Sequence, residues 1–103
     1  MTNFQKPALS DNDKIGIIKT LYGKSIEDLN KIRDDASTTL SDEREKRLKG
    51  EFGEEAKNAP THKELEAGLT CVLVGEFIES RRKDDDFDPY KFLNVAEPAP
   101  KVA

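Results

Sequence analysis

Tryptophan is absent from this 103-residue chain, and cysteine, histidine and methionine occur once each. A lone cysteine excludes an internal disulfide framework and any zinc site built from several thiolates. Nowhere does an apolar run approach the roughly 18 residues that mark a membrane-spanning helix. The start carries no charged segment followed by an apolar one, as an export signal would. No membrane partner is therefore expected, and a cytoplasmic location is the default. An excess of positive charge is missing too: Lys and Arg number 17 against 21 Asp and Glu, a net charge of −4. The pI of about 5.1 lies far below the value near 9 typical of nucleic-acid-binding domains.

Catalytic equipment is equally sparse. Cys71 would need a base within hydrogen-bond reach to act as a nucleophile. His62 stands nine residues away, which on one helix means about 13 Å along the axis and the opposite face. His62 reads as a solvated first-turn residue and Cys71 as a small core residue. Two calcium-loop look-alikes fail on their ligands. Asp11-x-Asp13-x-x-Gly16 puts Ile15 at the fifth position and Tyr22 at the twelfth, where a bidentate Glu is required. Asp84-x-Asp86-x-Asp88 has Pro89 where the loop needs Gly. No Gly-rich phosphate cradle occurs. The expectation is no enzyme, no cofactor and no metal.

What is present is charge of both signs, 37% of the chain, interleaved as on solvated helices. Leu, Ile, Val and Phe number 24, just above the fifth of a chain below which disorder prevails. That predicts a modest core and slim stability.

Ser10 and Asp13 form a cap for a first helix, with Ile15, Ile18 and Tyr22 at helical spacing and Gly23 ending it. Ser25 starts a second, striped by Ile26, Leu29, Ile32, Ala36 and Leu40. The hydroxyls of Ser37, Thr38, Thr39 and Ser41 compete for backbone groups and predict a break or kink there. Residues 42–57 are charged at eleven of sixteen positions and predict a separate, lightly docked helix with Leu48, Phe52 and Ala56 on one line. Gly50 and Gly53 weaken it.

Residues 61–83 are the centre of the chain. Thr61 and Glu64 make a capping box, and Arg81, Arg82 and Lys83 suit the dipole at the C-terminal end. Between them, 69–78 is apolar nearly all round, as in a helix buried by its neighbours or by a second copy. Gly68, Cys71 and Gly75 share one side, a small-residue groove open to another helix. Past Asp84, Asp88 and Pro89 are placed to start one helical turn. Phe87, Tyr90, Phe92 and Leu93 then either pack at home or anchor in a partner. From Val95 the Pro/Ala-rich end reads as extended.

Residues 17–33, with Ile18, Tyr22, Leu29 and Ile32 as packing positions, Gly23 in the turn and Ser25 opening the second helix, resemble a DNA-binding helix-turn-helix. The resemblance covers about a sixth of the chain. It implies DNA contact through Lys24, Ser25, Asn30 and Lys31, in a small, phage-type DNA-packaging or regulatory protein. It departs at Lys19 and Lys24, where small and apolar residues are usual, and Glu27 and Asp28 would repel phosphates.

The expected fold is all-α: a small bundle of three or four helices with extended arms at both ends. Residues 1–9 form the N-terminal arm, 10–83 the helical domain and 84–103 an acidic, aromatic tail. The expected function is non-catalytic protein–protein interaction, in an assembly, adaptor or inhibitor role. The partner is another protein or a second copy of this chain, forming a homo-oligomer. Candidate contact residues are Phe87, Tyr90, Phe92, Leu93, Gly68, Cys71 and Gly75. The alternative is nucleic acid, through the 17–33 segment.

Overall fold

The structure is a computed structural model describing residues 8–97. Among them are four α-helices, one 3₁₀ turn and no strand: a small all-α fold. Helix α1 is Asp11–Leu21, α2 Ile26–Leu48, α3 His62–Lys83 and α4 Pro89–Leu93, with the 3₁₀ turn at Glu55–Asn58 between α2 and α3.

Each helix starts at a side-chain cap. The Ser10 hydroxyl accepts from the Asp13 N–H at 3.1 Å, and the Asp13 carboxylate accepts from the Ser10 N–H at 3.0 Å. Ser25 does the same service for Asp28 at 3.1 Å. Thr61 and Glu64 complete their reciprocal box at 3.2 and 2.7 Å, and Asp88 accepts from the Tyr90 and Lys91 N–H groups ahead of Pro89 in the first turn. These bonds satisfy donors that a bare helix start leaves orphaned.

The expected break at 37–41 does not occur: α2 runs unbroken to Leu48. Ser37, Thr38, Thr39 and Ser41 are all exposed, so their hydroxyls are open to solvent and the small propensity cost is what they impose. Meanwhile Leu29, Ile32, Ala36, Leu40, Glu43 and Arg47 make a continuous half-buried to buried line at intervals of three and four. Packing of that line against α3 overrides local preference.

The separate helix expected over 42–57 is likewise absent. Its first half is the end of α2, which stops at Gly50 (φ 85°). The Gly50 N–H donates to the Arg47 carbonyl and the Glu51 N–H to that of Lys46, a closure that needs the left-handed residue glycine supplies. Leu48 and Phe52 consequently lie outside the core, and only Ala56 of that line is buried.

Helix α3 is the central element, packed along α2 on one flank and against α1 on another, while α1 also meets α4. Ile18, Leu21, Leu29, Leu73 and Val74 are fully buried, joined by Phe77, Ile78 and Val95. Packing continues past Lys83. Pro89 is fully buried, and Phe87, Tyr90 and Leu93 lie against the core cluster. A row of edge-to-face rings runs from Tyr22 to Phe77 (6.1 Å), Phe77 to Phe87 (5.1 Å) and Phe87 to Phe92 (5.6 Å). Val95, expected in the extended end, instead donates its N–H to the Tyr90 carbonyl and is buried. The expectations for most of the N-terminal arm and for the last residues of the tail lie outside the described residues.

Candidate functional site

The apolar wrap of α3 is not fully covered. Val72 leaves 51% of its surface exposed and lines a groove of about 520 Å³ between α2 and α3. Leu40 from α2 and Leu65 and Leu69 from α3 are its other apolar walls, and Leu9, just ahead of α1, lies at its edge. Gly68 keeps the α3 side flat: a Cβ there would meet nothing within 4 Å. The groove exists because α2 and α3 diverge in side-chain chemistry, the α2 line changing from Leu40 to Glu43 and Arg47 just where α3 still presents leucines.

That change of chemistry creates a polar keystone at the groove's floor. Glu64 is only 3% exposed. It accepts from Arg47 Nε at 2.7 Å and Nη2 at 3.2 Å, and from the Thr61 N–H at 2.7 Å. Arg47 Nη1 also donates to the Lys57 carbonyl at 2.6 Å, tying in the 3₁₀ turn. Burial pushes the Glu64 carboxyl up. Arg47's hydrogen bonds, the Thr61 N–H and the charges of Arg47 and Arg44 outweigh it and hold the carboxyl below its ordinary range. Arg47 meets Glu64 at bonding distance, whereas Arg44 stands 3.8 Å from it, half exposed at the groove rim. Lys14, the rim's other cation, has no carboxylate partner among the described residues. An acidic chain thus carries an apolar groove with a basic edge.

At the same end, His62 is not merely solvated. Its Nε2 lies 3.0 Å from Asp13 Oδ2 of α1 and its Nδ1 2.6 Å from Glu66 Oε1, one turn along α3.

The residues expected at a partner surface fare differently. Gly68 lines the groove. Gly75 has open space at its Cβ position, with nothing within 4 Å of it among the described residues. Cys71 is half-buried and directs its Sγ to the Arg33 carbonyl of α2 at 3.8 Å, so it belongs to the α2–α3 contact. Phe87, Tyr90 and Leu93 are turned to the chain's own core, and Phe92 alone presents 47% of its surface. Of the DNA-contact set, the Ser25 hydroxyl is used in capping, Asn30 accepts from Arg33 at 2.7 Å and Lys31 stands 3.9 Å from Glu27. Lys24 is exposed on the turn. Tyr22, a supposed packing residue of that motif, is 61% exposed, and α1 and α2 meet chiefly through α3.

Sequence reasoning missed the groove walls Leu9, Leu40 and Val72 and the Arg47–Glu64 pair. The spacing of Glu43 and Arg47 on the line begun by Leu29 carries a signal for the pair; nothing local signals Asp13 with His62, 49 residues apart. Among the described residues no cluster fit to hold a metal occurs, and no helix is long and apolar enough to cross a membrane. Comparison with protein-family models, curated proteins and solved structures yields no match.

Proposed function

We propose that this chain is a non-catalytic interaction protein that receives a short apolar segment, flanked by acidic residues, of a partner protein in the α2–α3 groove. The observation that carries this reading is the groove itself: leucines and a half-exposed Val72, edged by Lys14 and by a half-exposed Arg44, two cations against the single carboxylate of Glu64. Apolar walls supply affinity by surface burial. The two cations select acidic flanks and reject basic ones. Gly68 lets a partner's backbone come close; with nothing among the described residues within 4 Å of its Cβ position, it otherwise only weakens α3 by about 1 kcal/mol.

Val72→Asp and Arg44→Gln test the reading, since both sites are exposed and the second removes the rim charge without setting a carboxylate beside Glu64. Proteins captured by the intact chain from host extract would be identified, and their binding segments mapped as peptides. An acidic apolar peptide that binds the chain, loses affinity at least about tenfold with Val72→Asp, and weakens with rising salt after the manner of charge pairs is the expected result. A bound peptide indifferent to both substitutions overturns it. Concentration-dependent sedimentation abolished by Val72→Asp would make the occupant a second copy instead. DNA contact through 17–33 is the rival class: an electrophoretic shift at low salt, removed by Lys24→Glu and Lys31→Glu, would replace the groove reading.

A further inference from the structure

The cluster of Asp13, His62 and Glu66 stands beside the groove, and nothing in the docking role uses it. Carboxylates in their ionised form only accept hydrogen bonds. A ring nitrogen facing one must therefore carry hydrogen, and His62 faces one with each nitrogen: Asp13 Oδ2 at 3.0 Å and Glu66 Oε1 at 2.6 Å. Both contacts exist together only for the doubly protonated imidazolium. The two carboxylates are not equivalent. Glu66 belongs to the same helix as His62, so its contact ties nothing new. Asp13 belongs to α1, where its second duty, accepting from the Ser10 N–H at 3.0 Å, fixes the first turn. Lys14 and Leu9, the groove's wall on that side, flank this turn in the chain.

We infer that Asp13, His62 and Glu66 form a proton-dependent clamp that holds the start of α1 against α3 and thereby sets how closely Leu9 and Lys14 border the groove's edge. The inference rests on the docking role proposed for that groove and names its regulation. Loss of the proton removes the charge and leaves one N–H for two carboxylates, so the tie from His62 to Asp13 of α1 loses its charge assistance and is shared with Glu66.

The charges facing the ring are Asp13 from α1 and Glu66 from α3. Those that α2 brings to this end are turned elsewhere: Glu43 accepts from the Thr61 hydroxyl, and Arg44 and Arg47 face Glu64. Position in the first turn of α3 opposes a cation through the helix dipole, so the two carboxylates are what retain the proton. The Asp13 hydrogen bond is the largest influence, and with Glu66 it raises the His62 pKa despite partial desolvation. The same bond lowers that of Asp13. His62 contributes fully below its ordinary value near 6.5, and the contribution disappears as pH rises through the higher folded value. Asp13 contributes above its ordinary carboxyl range and fails as pH falls through its lowered one. The clamp is strongest between those two limits and weakens towards the alkaline side.

One histidine and no tryptophan make the test direct on the full chain. Proton NMR of His62 gives its midpoint, and Leu9→Trp places a single emitter at the groove edge. His62 should titrate above its ordinary value, and its midpoint should fall by about half a unit or more in Asp13→Asn. Trp emission should shift to the red through the same midpoint, and in the Leu9→Trp/Asp13→Asn double variant should be red-shifted already at low pH. Emission that stays flat from about pH 5.5 to 8.5 while His62 titrates overturns the gating. An ordinary His62 midpoint overturns the clamp. Should Leu9→Trp fail to fold, binding of an apolar dye to the unaltered groove over the same range reads the same event. No partner enters either measurement, so the docking role can fail while the clamp stands, and the reverse.

Discussion

Single side chains decide how α3 is anchored, and Glu64 decides most. A buried carboxylate with two guanidinium bonds and a backbone donor is stable only as a set. Arg47→Met leaves that charge with Arg44 as its sole cation, 3.8 Å off, and is expected to cost about 3 kcal/mol, read as a fall in the denaturation midpoint. Adding Glu64→Leu should recover part of the loss, because the stranded charge is then gone; the Thr61 N–H, left without its acceptor, limits the recovery. A double-mutant cycle by chemical denaturation measures this coupling. The wild-type pair also has a sign in pH. With its pKa lowered, Glu64 stabilises above its ordinary value and loses that contribution as pH falls through the folded one. Arg47→Met should flatten that acid limb.

At the scale of elements, what the sequence makes legible is where helices start. Ser10, Ser25, Thr61 and Asp88 each cap as their side chains and spacing predict, because capping is settled within four residues. Where helices continue is not local. The hydroxyl-rich 37–41 stretch reads as a break only until Glu43 and Arg47 are seen to extend the buried line of α2, and a polar residue at a core-facing position looks like an interruption unless its partner, Glu64, is known. The same blindness hid the groove, whose walls come from three parts of the chain. Since Thr38 and Thr39 are exposed and helical, Thr38→Ala and Thr39→Ala should each add about 0.5 kcal/mol, seen as a rise in melting temperature. A helix interrupted at that point would gain nothing from either.

Over the whole molecule, the tail shows where sequence reasoning divides. Four apolar residues after an acidic run fit a partner anchor as well as a home-packed turn; only the smallness of the core favours the second, because both need the same residues. The structure separates them. Phe87, ringed by Phe77 and Phe92 at 5.1 and 5.6 Å, should cost about 3 kcal/mol when changed to alanine. Phe92→Ala, nearly half exposed, should cost less than about 1 kcal/mol. Equal small losses in thermal melts would place Phe87 outside the core. Deleting the chain from Asp84 would remove buried Pro89 and Val95 as well, so such a truncation tests stability before it tests binding.

The meeting of α1 with α4 also sets an order of assembly. The α2–α3 hairpin closes a short loop and can form on its own residues, whereas the pocket around Ile18 and Leu21 is finished only when Val95 arrives, over seventy positions later. Contacts so distant in sequence are made late. Helix α1, which packs on α3 and meets α4, is therefore among the last of the described helices to complete its docking. In refolding kinetics, Leu73→Ala should slow folding, while Ile18→Ala should mainly speed unfolding.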